Sequence, residues 1–86
     1  MNRTLRLSKW NEILIEILKQ NGRPVYCELL GRRMNGSLAY IRKIVKSLEK
    51  KKIIMIKPEN QAKLLYLTDK GRKIANYLFS VQAELK

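Results

Sequence analysis

The sequence predicts a mainly α-helical domain with one small β-hairpin, an α+β fold, and three observations carry that prediction. Four segments repeat apolar residues at the three- and four-residue spacing of an amphipathic helix. Two short segments of strand-forming residues stand together between the third and the fourth. Gly, Asn, Pro or Ser interrupts the pattern at most junctions. Eighty-six residues suffice for one domain, so 1–86 is read as a single unit whose modest core a second copy would extend.

Residues 1–7 read as a flexible basic arm. Ser8 then caps a first helix running to about Gln20, with Trp10, Ile13, Leu14, Ile17 and Leu18 on one face and Asn21-Gly22 at its end. Pro24 biases Arg23 out of the helical region, so 23–26 is extended and a candidate brief strand. The second helix covers about Cys27–Met34. Gly31 is read as the small residue that lets two helices cross closely, and Asn35, which tolerates a left-handed turn, leads with Gly36 into the next element.

Ser37 caps the third helix, which continues to about Lys51 with Leu38, Ile41, Ile44, Val45 and Leu48 on its buried face. Residues 30–44 thereby hold the spacing of a helix-turn-helix, within a motif spanning 27–51. Strands at 53–57 and 63–68 follow, joined by 58–62 as a hairpin. Thr68 caps the last helix, 69–86, where Asp69 favours the helix dipole. Ile74, Leu78, Val81 and Leu85 form one stripe there, Ala75, Phe79 and Ala83 a second, and Tyr77 widens the arc. So much apolar surface in a small domain points to a partner subunit. Trp10, Leu14, Tyr77, Leu78, Val81 and Leu85 are the expected dimer contacts.

Charge narrows the function. The chain carries 19 Lys and Arg against 7 Asp and Glu, for a net charge of +12, so a polyanion is the default partner. Residues 31–57 hold nine basic side chains against Glu49 alone, which concentrates the excess on the helix-turn-helix. A Lys50-Lys51-Lys52 run by itself would be an ordinary solvated face. The outward face of the third helix presents Tyr40, Arg42, Lys43 and Lys46, the layout of a helix offered to a DNA groove.

Other classes fall away. One cysteine, Cys27, makes no intramolecular disulfide, and without His there is no zinc site, so Cys27 is expected to be a small buried hydrophobe. An enzyme is not expected, because the chain lacks His, a glycine-rich phosphate loop and paired catalytic carboxylates; Glu12 and Glu16 read as exposed helix charges. No cofactor, metal or membrane partner is expected, and no residue points to a small-molecule effector. With no signal or membrane-spanning pattern, the expected location is cytoplasmic and nucleoid-associated. Heavy use of Lys, Ile and Leu with no His fits a hyperthermophilic archaeon, its virus or its plasmid.

Two phrases carry a family resemblance. Val45-Lys46-Ser47-Leu48-Glu49-Lys50-Lys51-Lys52-Ile53-Ile54 and Leu67-Thr68-Asp69-Lys70-Gly71 resemble, respectively, the end of the recognition helix and the passage into the final helix of winged helix-turn-helix regulators of the MarR, ArsR and PadR groups. The likeness covers about 60 residues from Cys27 onward. It departs at Lys52, where the family commonly has glycine, and at Asn35-Gly36, where many members have Gly followed by an apolar residue.

The resemblance implies a winged helix-turn-helix with 53–68 as the wing and 69–86 as a dimerisation helix. It implies that Ser37, Leu38, Tyr40, Arg42, Lys43 and Lys46 lie at or near the major groove, and that Lys57, Asn60, Gln61 and Lys63 act from the wing. By geometry Arg42 is the best base reader, while Lys43 and Lys46 suit phosphate. Tyr40 either faces the groove or props the second helix, and Leu38 packs or meets a thymine methyl. Arg32 and Arg33 would reach the phosphate backbone. The expected function is a homodimeric, sequence-specific regulator that binds double-stranded DNA. A non-specific architectural DNA-binding protein and a protein-binding winged module are the alternatives.

Overall fold

A computed structural model describes residues 8–34 and 36–84. Its elements are α1 (Lys9–Lys19), α2 (Cys27–Met34), α3 (Leu38–Lys50), β1 (Ile54–Glu59), β2 (Ala62–Leu67) and α4 (Asp69–Glu84). This is the predicted α+β order, with one difference at its start.

Ser8 accepts a hydrogen bond from the Asn11 amide at 3.3 Å and so caps α1. Ile13, Leu14 and Ile17 are buried as the spacing predicts, and Ile15, off that face, is buried too. Asn21 and Gly22 take φ of 52° and 88° and turn the chain away from the helix. The next residues form no strand. A single backbone bond, Leu65 N–H to Val25 O at 2.8 Å, joins them to β2, too little for a ladder.

Within α2, Leu30 and Met34 face the core. Gly31 does not have the role read into it. A Cβ there would lie 3.7 Å from the Gly36 carbonyl oxygen and 3.9 Å from Ile41 Cδ1, ordinary contact distances that Ala would tolerate. Asn35 lies outside the described residues. Helix α3 starts at Ser37, whose hydroxyl accepts from the Tyr40 amide at 3.2 Å, and it buries Ile41, Ile44, Val45 and Leu48.

The end of α3 turns without a glycine. Ile53 N–H bonds to Leu48 O at 3.0 Å and Lys52 N–H to Glu49 O at 2.9 Å, the paired bonds of a Schellman cap, with Lys52 itself at φ 61°. The two strands then pair antiparallel, with Ile54 opposite Leu67 and Glu59 opposite Ala62. That register leaves only Asn60 and Gln61 in the turn, at φ 46° and 67°. The expected connection of 58–62 is therefore too long; a two-residue turn with both φ positive matches strand twist, and Pro58 sits inside β1.

Thr68 ties the wing to α4. Its hydroxyl donates to Lys52 O at 2.7 Å, with Ile53 O at 3.1 Å, and accepts from the Gly71 amide at 3.0 Å. Ile13, Leu30, Ile41, Leu48, Ile54 and Ala75 form the centre of one core shared by all four helices and the hairpin. No helix among the described residues is long and apolar enough to cross a membrane.

Candidate nucleic-acid interface

The outward face of α3 is built by the same periodicity that buries its inner face. Tyr40, Arg42, Lys43 and Lys46 are exposed, Ser37 is exposed at the cap, and Leu38 is half-buried. Tyr40 is 49% exposed. The hairpin adds exposed Lys57, Asn60, Gln61 and Lys63. The Lys57 ammonium stands 5.6 Å from the centre of the Tyr66 ring, a cation–π contact that leans it along the strand.

Between α3 and the wing lies an open cleft of about 670 Å³. Val45, Ile56 and Leu65 line it with apolar surface, while Arg42, Lys46 and Lys63 bring cations from two elements. The start of α2 closes one side with Tyr26, Cys27 and Glu28. Arg42 Nη2 lies 3.3 Å from Glu28 Oε2, and Arg32 donates to the Tyr26 hydroxyl at 3.4 Å. Burial first, and the Glu28 carboxylate second, hold the Cys27 thiol above its ordinary pKa. Cys27 is half-buried rather than buried.

The sequence reading missed Tyr26 and Glu28 at this face. No local pattern marks either one, because only the crossing of α2 over α3 brings Glu28 to a residue fourteen positions away.

Arg33 does not join its neighbour Arg32. It lines a smaller cavity of about 250 Å³ together with Glu12, Glu16 and Lys19 of α1 and Gln82 of α4. Glu16 is not the exposed charge it was expected to be. Its side chain is only 18% exposed, Oε1 pairs with Lys19 at 3.8 Å, and Oε2 is buried without a hydrogen-bond partner among the described residues. The lysine run also divides: the Lys51 ammonium sits 5.9 Å from the Trp10 ring centre, turned toward α1 rather than toward the cleft.

The expected dimer contacts also separate. Leu14, 2% exposed, belongs to the core of the single chain and has no surface to give a partner, because α1 packs this side of itself against the rest of the fold. Trp10 and Leu78 are half-buried and packed against that core, and Val81 is half-buried. Tyr77 is 71% exposed, and Phe79, from the second stripe, is 44% exposed. Leu85 lies outside the described residues.

No family model matches the chain. An uncharacterized protein of Archaeoglobus fulgidus is 33% identical over 72 residues, which cover 81% of this chain and 76% of that protein. The crystal structure of AF1382 from Archaeoglobus fulgidus superposes with a TM-score of 0.85 at 31% identity, covering 95% of this chain and 92% of that one. The adhesin competence repressor AdcR of Streptococcus pyogenes shares the fold at 20% identity and a TM-score of 0.81; the match covers 94% of this chain and 61% of AdcR.

Proposed function

The chain belongs to the family of the Archaeoglobus fulgidus protein AF1382, and on that premise we propose that it is a sequence-specific transcription regulator that binds double-stranded DNA as a homodimer. One observation carries the reading: Arg42, Lys43 and Lys46 stand exposed on the outer face of the second helix of a helix-turn-helix, and Lys63 of the wing lines the same cleft as Arg42 and Lys46. A helix with cations on its free face fits the major groove, and a hairpin beside it reaches the adjacent backbone or minor groove. The structural neighbour AdcR is named as a repressor, in accord with this reading. Two copies joined through α1 and α4 would address half-sites about 34 Å apart.

Arg42 is assigned to base edges and Lys46 to phosphate. A duplex recovered by selection from a random pool, titrated beside random duplex, tests the assignment. Arg42→Ala should weaken the selected duplex by about 1–3 kcal/mol and leave random DNA nearly unchanged. Lys46→Ala should weaken both alike and lower the log–log salt slope by about one per subunit. Equal loss on both duplexes for Arg42→Ala would favour an architectural, non-specific DNA-binding protein instead. Retention of no duplex at moderate salt would favour a protein-binding module.

A further inference from the structure

We infer that Glu28 is a positioning residue that sets the sequence discrimination of Arg42, an inference resting on the DNA-binding reading above. Glu28 is an acid placed on the basic face, and its Oε2 lies 3.3 Å from Arg42 Nη2. Both side chains stay wet, at 58% exposure for Arg42 and 54% for Glu28. An exposed pair of this kind changes an equilibrium by at most about fivefold, so it opens readily. The hydrogen bond to Glu28 occupies Nη2, and the guanidinium keeps further N–H donors for a second partner.

Two competing partners follow for Arg42. Over an arbitrary duplex, a phosphate offers the guanidinium roughly what Glu28 already offers, and the Glu28 carboxylate repels a phosphate brought to the same place. Arg42 then stays on Glu28. Over guanine, two parallel bonds to O6 and N7 exceed the single contact to Glu28, and the side chain transfers. The carboxylate thus penalises the wrong duplex more than the right one, a repulsive element that sharpens specificity. Lys46 and Lys63, which line the same cleft, keep the face positive overall, so attraction to DNA survives the added acid.

Glu28→Gln tests this, because Gln keeps the size and an acceptor oxygen but removes the charge. Wild-type chain and variant are titrated with the selected duplex and with random duplex over a range of salt. Random duplex should bind about two- to fivefold more tightly to the variant, and the ratio of selected to random affinity should fall by a similar factor. The log–log salt slope on random duplex should steepen by about 0.9 per subunit, as Arg42 takes a phosphate. In an Arg42→Ala background, Glu28→Gln should leave the ratio where it was.

Equal tightening on both duplexes would overturn the inference, leaving Glu28 as a general repulsive charge. A shift in ratio that persists without Arg42 would overturn it as well. The wild-type titration separates the two levels: if the wild-type chain retains no duplex, DNA binding itself fails and the inference with it, whereas binding with an unmoved ratio defeats the inference alone.

Discussion

A single hydrogen atom in place of a methyl group decides how α4 meets the wing. A Cβ on Gly71 would overlap the carbonyl oxygen of Ile53, a backbone atom that already accepts from the Thr68 amide at 3.1 Å and so has little freedom to retreat. Gly71→Ala should therefore lower stability by about 3 kcal/mol or more, visible as a fall in denaturant midpoint. Gly31→Ala is the contrast. Its methyl meets only ordinary contacts inside α2, so the better helix former should raise stability by about 0.5–1 kcal/mol. A loss at Gly31 would mean that α2 and α3 cross more closely than described. The Thr68–Gly71 phrase was legible as a family signature, but its physical content, one hydroxyl bonded to two chain segments beside a glycine with no room for Cβ, depends on residues sixteen and eighteen positions away.

At the scale of elements, the end of α3 sets the direction of the wing and does so at a cost. Lys52 holds φ 61°, a conformation about 1–2 kcal/mol unfavourable for a residue with a Cβ. Glycine removes that cost but gains freedom in the unfolded chain that takes back about 0.4–1 kcal/mol. Lys52→Gly should then stabilise by about 0.5–1 kcal/mol, read from thermal unfolding, with the wing still in register. A decrease would show that the Lys52 side chain contributes more than its backbone strain costs. The tip of the wing follows the same rule. Asn60 and Gln61 both take positive φ without a glycine, which is why the sequence suggested a longer connection than the two residues that form it.

At the scale of the whole molecule, α4 covers α1 with one side and leaves two aromatics beside that covered stripe. Tyr77 and Phe79 are two residues apart, so helical geometry puts them on opposite flanks of the face that buries Ala75. The proposed dimer is tested there rather than at Leu78, which packs against the core and would unfold the chain if charged. Phe79→Glu and Tyr77→Glu should both preserve the cooperative unfolding transition. At least one of them should shift sedimentation at micromolar concentration from dimer to monomer. A wild-type monomer under those conditions would remove the homodimer from the proposal.

The sequence by itself determined the four helices, the presence of one hairpin and the sign of the face. Helix caps at Ser8, Ser37 and Thr68, apolar spacing along α3 and the cluster of cations act over a few residues, and local rules reach that far. Tertiary structure alone decided which charges meet. Glu28 comes to Arg42, Arg33 lines the cavity beside α1 while Arg32 stays by Tyr26, and Leu14 disappears into the core. The reason is geometric: a side chain's neighbours across a helix crossing are set by the angle and depth of packing between elements. Those follow from the whole core at once, with no spacing in the chain to record them.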